Sequence, residues 1–325
     1  MAGRPLRIGV LGAARIAPQA VIAPAAATGV AEVVAVAARD IDRARAFATE
    51  HGVPIVATDY QNLIEHPEVD AIYNALPPSR HAEPTIAALA AGKPVLCEKP
   101  FAMNAGEAQA MVTASRNHGQ VLMEAFHYRF HPLFERVLDI VASGEIGEVR
   151  RMKAVFSTSI DQTDTELRYD PALGGGALMD LGTYCLHWVR TIAGAEPKVT
   201  AASCLLGASG VDISTKATLA FGRGVVAEIA CDMAGPVRAT LDVEGAEGRM
   251  RVINPLAPQL GHVIEVTREG EAARQETASR EPTYDFQLRA FVDAVRGQET
   301  PLTGGDDAVA QMDLIDRIRA ASRRK

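Results

Sequence analysis

Side chains capable of proton chemistry recur at helical spacing in one apolar stretch of this 325-residue chain. Asp180, Tyr184 and His187 stand at i, i+4 and i+7 within Ala177 to Ile192, so a helix there projects a carboxylate, a phenol and an imidazole from one face. Their neighbours, among them Leu178, Met179, Leu181, Leu186, Trp188 and Val189, are apolar. Burying an unpaired neutral polar group costs about 1–3 kcal/mol, and a charge costs more. The face therefore needs partners inside the protein or a pocket. In the first case Asp180 and His187 bond backbone and Tyr184 is an amphipathic core residue; in the second the face serves a ligand. Lys99, in Cys97-Glu98-Lys99-Pro100, closes an apolar run, where parallel sheets bind ligands at their carboxyl edge. An X-Pro bond is also where cis geometry occurs.

A second constellation suits a phosphate-bearing ligand. The run Leu6 to Leu11 leads into Gly12-Ala13-Ala14-Arg15-Ile16-Ala17, which occupies the slot of a G-x-G-x-x-G/A loop. Gly12 supplies the tight turn and Ala17 the close helix-to-strand contact, while Ala14 puts a methyl at the middle glycine position. The amides of Ala14, Arg15 and Ile16, at the start of a helix, favour an anion. The next strand ends in Ala37-Ala38-Arg39, without the acid that commonly holds a ribose 2′-hydroxyl. Arg39 would instead pair with a 2′-phosphate through charge-assisted bonds, so NADP is expected ahead of NAD, with NAD possible. The alternative is a solvated arginine beside Asp40.

These residues need a frame. Leu6 to Leu11, Glu32 to Ala37, Ala71 to Ala75, Pro94 to Glu98 and Gln120 to Glu124 read as strands alternating with helical patterns, the signature of a parallel sheet with crossover helices. Asp40 or Asp42 caps a helix that Gly52 stops, and Asn104 with Glu107 caps another. After His131 to Ser143, a helix ended by Gly144 to Gly147, come longer β-rich runs from Val149 to Arg268 joined by tight turns such as Gly222-Arg223. The expected fold is α/β: a Rossmann doubly wound parallel sheet over residues 1–126, then an α+β domain with a large open, mainly antiparallel sheet over residues 127–325. The closing helices, within 284–321, could pack on either domain. An open sheet with one uncovered face seeks a cover, so the second domain is expected to bind substrate and to build a homodimer or higher homo-oligomer.

Composition narrows the classes. A formal charge of -7 with 22% charged residues offers no basic face for nucleic acid. The run Arg317, Arg319, Arg323, Arg324 and Lys325 most simply complements a C-terminal helix dipole. No apolar run approaches the ~20 residues of a membrane span, and Met1 to Pro5 lacks a signal-peptide core, so a cytoplasmic location is expected. Cys97, Cys185, Cys204 and Cys231 lie far apart and read as reduced thiols; no metal is implied.

The segments Gly12 to Ala17, Asn74-Ala75-Leu76-Pro77-Pro78-Ser79-Arg80-His81, Cys97 to Pro100 and Gly174-Gly175-Gly176 through Asp180-Leu181-Gly182-Thr183-Tyr184 together resemble the glucose-fructose oxidoreductase, inositol dehydrogenase and rhizopine-catabolism (Gfo/Idh/MocA) family. The resemblance covers nearly the whole chain. Tyr184, Ala-Arg-Asp at the second strand and Leu122-Met123-Glu124-Ala125 look like the branch of dimeric dihydrodiol dehydrogenase and NADP-dependent xylose dehydrogenase. The resemblance implies hydride transfer between nicotinamide and a carbinol carbon, with Tyr184 exchanging the hydroxyl proton. A phenol has a pKa of about 10, so an ammonium from Lys99 would stabilise the phenolate and bond the substrate hydroxyl. Asp180 joins them as a catalytic candidate.

It also implies Glu98 and His81 beside the nicotinamide ribose, with Leu76 and Pro77 beneath the dinucleotide. His81 reads equally well as a residue opening the helix Ala82 to Ala91. His187, Arg129 and Arg168 are substrate-binding candidates, and ion pairing is an equal reading for both arginines. The substrate is expected to be a polyol or sugar, an aldose of the xylose or glucose type ahead of a trans-dihydrodiol. A cofactor-retaining glycoside hydrolase or eliminase and a nonenzymatic dinucleotide sensor are the alternatives from other classes.

Overall fold

The computed structural model describes residues 4–163 and 166–323. Arg324 and Lys325 of the C-terminal cationic run, and Met1 to Gly3, lie outside the described residues.

Unbroken apolar runs make the first sheet, as expected for strands covered on both faces. Its strands β1 (Leu6–Leu11), β2 (Ala31–Ala37), β3 (Ile55–Val56), β4 (Ala71–Asn74), β5 (Val95–Cys97) and β6 (Leu122–Glu124) pair in the order β3-β2-β1-β4-β5-β6, all parallel. The direction of winding reverses between β1 and β4, the place where such sheets open a ligand crevice at their carboxyl ends. Caps fix the helix starts: Asp40 accepts from Asp42 N and Arg43 N, and Asn104 accepts from Glu107 N.

This sheet belongs to a compact unit formed by Met1–Arg129 with Tyr284–Val309. The returning segment covers its edge strand, since Thr303 donates its hydroxyl to the Glu124 carbonyl at 2.6 Å and Gly304 packs on the Leu122 backbone.

The second unit comprises Phe130–Thr283 with Ala310–Lys325. The chain thus divides after Arg129, where the sequence suggested residue 126, and the helix Thr283–Val295 falls almost wholly in the first unit. Here alternating patterns make β7 (Val149–Ser157), β8 (Lys198–Leu206), β9 (Asp212–Ala220), β10 (Val226–Asp232), β11 (Arg238–Gly245), β12 (Gly248–Ile253), β13 (Val263–Arg268) and β14 (Arg274–Glu276). Their order is β14-β13-β12-β11-β7-β10-β9-β8, antiparallel except for the parallel pair β7 and β10.

One face, including Met152, Ala154, Ile229, Leu241, Met250, Val252 and Ile264, is buried, and the helix Thr183–Ala193 packs on β7 and β10. The other face carries Glu228, Lys153, Asp242, Arg251 and Glu265 directly opposite one another on successive strands. Such cross-strand pairs of alternating sign are worth about 0.2–1 kcal/mol each. That face is charged and suits water, so it does not need the apolar cover that the sequence reading invoked. Among the described residues no helix is long and apolar enough to cross a membrane.

Candidate active site

At the carboxyl edge of the first sheet, β1 hands the chain to Gly12, whose φ of 99° lies in the left-handed region. A Cβ there would sit 3.2 Å from Leu76 Cδ2 and 3.4 Å from the Ala75 carbonyl, so glycine is needed for both conformation and space. Ala17 is fully buried and its amide bonds the Ala14 carbonyl at 3.1 Å, which closes the loop. The helix that follows opens with a π-helical turn, Pro18–Ile22, before Ala23–Thr28. Arg15 and Arg39 are exposed, and Ala14 and Ile16 are half-buried. Arg43, on the helix Ile41–His51, donates from Nη2 to the Ala13 carbonyl at 3.3 Å. Cations thus stand beside a glycine turn and the amides of a helix start, a donor set that fits a phosphorylated dinucleotide.

Beneath this edge, buried polar groups hold the backbone. Asn74 donates to the His81 carbonyl at 3.1 Å and Thr85 Oγ1 at 3.0 Å, while its oxygen accepts from Leu76 N at 3.2 Å. The Tyr73 hydroxyl donates to Glu98 Oε1 at 2.7 Å, and Lys99 N donates to Glu98 Oε2 at 3.2 Å. Burial first, then the Glu98 carboxylate, pushes the Tyr73 phenol well above its ordinary range. The Lys99-Pro100 bond is cis.

His81 departs from its expected place beside a ribose. It is fully buried, with Nε2 2.7 Å from the Leu76 carbonyl and Nδ1 3.1 and 3.2 Å from the Pro100 and Phe101 carbonyls. Burial outweighs these carbonyls and lowers its pKa. Its polar atoms are spent on bracing the Leu76 turn against the Pro100 turn, the helix-start alternative in a stronger form.

In the second unit, the stretch expected to be one regular helix begins with a π-helical turn, Leu178–Gly182, and continues as the α-helix Thr183–Ala193. Across an i→i+5 turn, residues five apart overlie rather than four. Asp180 is therefore out of phase with Tyr184, whereas Tyr184 and His187 share the regular part. Tyr184 is 5% exposed, edge-on to Phe156 at 5.9 Å and 6.5 Å from Trp188 between ring centroids. His187 is buried. Asp180 Oδ2 accepts from Arg168 Nε at 2.6 Å, and Arg168 Nη1 bonds Glu166 Oε1 at 2.9 Å. Burial opposes the Arg168 charge, but the two carboxylates prevail and raise its pKa. Arg168 thus follows the ion-pairing alternative.

The glycine triplet was read as room for a ligand near the backbone. Its space is taken by the protein itself: a Cβ on Gly175 would lie 2.5 Å from the Arg168 carbonyl, and one on Gly176 would meet the Asp212 carboxylate at 2.2 Å. Gly176 N donates to that same Arg168 carbonyl at 2.9 Å.

Within the first unit the fold brings together Gly12 with Leu76, and Glu98, Lys99 and His81 with their braces; within the second it joins Asp180 to Arg168. Pro77 precedes the 3₁₀ turn Pro78–Arg80, and Arg129 lies half-buried in the turn His127–Phe130, where His127 stacks on Tyr284 at 4.2 Å. Lys99 belongs to the first unit and Tyr184 to the second. Sequence reasoning missed Arg43, whose signal was its place four residues after Arg39 on a capped helix. Among the described residues no cluster of His, Cys, Asp or Glu could hold a metal ion.

Comparison with known proteins agrees with this geometry. A model described as the GFO_IDH_MocA oxidoreductase family, NAD-binding Rossmann fold, matches residues 6–126, and a GFO/IDH/MocA C-terminal domain model matches residues 134–251. The chain is 34% identical to a D-xylose 1-dehydrogenase (NADP(+)) of Haloferax volcanii, over 96% of each protein. It is 35% identical to the trans-1,2-dihydrobenzene-1,2-diol dehydrogenase of Sus scrofa, over 69% of this chain and 67% of that one. Among solved structures, KijD10, a 3-ketoreductase from Actinomadura kijaniata in complex with NADP and TDP-benzene, superposes with a TM-score of 0.90 at 31% identity, covering 98% of both chains.

Proposed function

The chain belongs to the GFO/IDH/MocA oxidoreductase family, and from that premise we propose that it is an NADP-dependent dehydrogenase of a polyhydroxylated small molecule, an aldose of the xylose or glucose type. The observation that carries the cofactor half is the pair Arg39 and Arg43 beside the Gly12 loop, at a strand end without an acid. The NADP-dependent xylose dehydrogenase among the relatives supports the substrate half.

Bound NADP would supply hydride exchange at nicotinamide C4. Gly12 to Ala17 and the Leu76 turn would hold it, with Arg39 and Arg43 on its 2′-phosphate. Tyr184 takes or gives the hydroxyl proton, and Lys99 stabilises the phenolate and bonds the substrate hydroxyl. Asp180, fixed by Arg168, contributes a carboxylate on the same helix, and His187 and Arg129 complete the substrate contacts. A cytoplasmic location and a homo-oligomer built on the second unit go with this reading; light scattering tests the latter.

A second reading, reduction of a keto sugar carried on a nucleotide, is favoured by the likeness to the 3-ketoreductase. A screen of aldoses, inositols, dihydrodiols and dTDP-linked keto sugars with NADP(H) and NAD(H), followed by absorbance of the reduced nicotinamide, decides between them. Turnover of a free aldose with NADP is expected. Turnover confined to the nucleotide-linked sugars would replace the first reading with the second.

A further inference from the structure

We infer that Asp212 is the positioning residue for the helix that carries Tyr184, an assignment that rests on the function proposed above. The π-helical turn Leu178–Gly182 receives no side-chain cap from Ala177, the residue before it. Its cap comes instead from the first residue of β9: Asp212 Oδ2 accepts from Leu178 N at 2.8 Å. The same oxygen accepts from Thr215 Oγ1 at 2.6 Å.

The other carboxylate oxygen explains the glycines. Gly176 has φ of 120° and no side chain, so Asp212 Oδ1 can close over the turn where a Cβ would stand 2.2 Å away. Gly175 and Gly176 are at the same time pinned to the Arg168 carbonyl, and the Arg168 side chain reaches Asp180. The carboxylate, the glycine segment, Arg168 and the helix start form one connected clamp.

A helix start can be capped by its own Ser, Thr, Asp or Asn for a gain of about 1 kcal/mol. A cap borrowed from a strand does more, because it ties the helix to the sheet at a fixed place. The arrangement is also costly: burial pushes the Asp212 carboxyl up, against Thr215, Leu178 N and the positive charge of Arg319. A carboxylate kept there against that cost fits a requirement for position, since misplacement of a reacting group by 1 Å can cost about 10²-fold in rate.

The test compares Asp212→Ala, Asp212→Asn and Thr215→Val with Tyr184→Phe in the full chain. Readouts are kcat and KM for the best sugar, NADP affinity by nicotinamide fluorescence, and near-UV circular dichroism. Asp212→Ala is expected to lower kcat by about 10- to 100-fold with NADP affinity within twofold of the parent. Asp212→Asn, whose amide oxygen still accepts, should restore kcat to within about threefold. A kcat for Asp212→Ala within twofold of the parent, or an equal loss of NADP affinity, would overturn the assignment.

If Asp212→Ala does not fold, Thr215→Val decides: a kcat reduced about two- to fivefold supports the clamp, and an unchanged kcat overturns it. Unaltered turnover in Tyr184→Phe would instead strike the proposed function, leaving the two failures distinct.

Discussion

The carboxyl edge of the first unit and the Tyr184 helix of the second use buried polar groups in opposite ways. In the first, Asn74, His81 and Glu98 turn inward and spend their hydrogen bonds on backbone, so what meets a ligand is chain geometry with Arg39, Arg43 and Lys99 around it. In the second, the backbone is clamped by Asp212 and the glycines, and the side chains themselves face the chemistry. The contrast teaches a division of labour. A dinucleotide can be held through amides and a few charges, whereas a substrate must be distinguished by side chains on one well-placed helix.

The largest test of this contrast is Tyr184→Phe, which should reduce kcat by about 10²- to 10⁴-fold, the usual worth of a general acid or base. NADP affinity, governed by the first unit, should stay constant; a parallel loss of binding would erase the division. Next comes Arg39→Ala with Arg43→Ala. Charge-assisted bonds are worth about 1.5–3 kcal/mol, so KM for NADP should rise roughly 10- to 100-fold while KM for NAD hardly moves. An equal rise for both nucleotides would mean that the arginines serve the loop rather than a phosphate.

The smallest effect concerns stability. His131 caps the helix Pro132–Ala142 by accepting from Leu133 N at 3.0 Å through Nδ1, with Nε2 3.2 Å from the Glu281 carbonyl. Burial holds its pKa at about 4, below the ordinary 6.5. The folded state thus keeps the ring neutral, and its contribution is complete above about pH 6.5 and lost as pH falls toward 4. Thermal melts of His131→Asn should lose that part of the acid destabilisation, while a slope identical to the parent's would assign it elsewhere.

Much of the frame was legible because long apolar or alternating runs dominate it: β1 and β13 match their sequence bounds, and most other strands shift only at their ends. β3 escaped because two residues carry no period, and β14 because Arg-Gln-Glu is polar throughout. The site was legible in its residue types and less so in their engagements. His81, Arg168 and the glycines were visible, but what each one touches depends on residues far away in the chain. Asp212 lies 34 positions from the amide it caps, beyond the reach of any local pattern.

Both helices that open toward the proposed ligands begin with a π turn, Pro18–Ile22 and Leu178–Gly182. Such a turn encloses one residue more than an α turn, so each helix carries a spare residue in its first revolution. Shortening either by one would let a regular helix form and would swing everything ahead of the turn by about 100° relative to everything behind it. A change in length at those two places would therefore re-aim a binding surface without altering a single side chain that lines it.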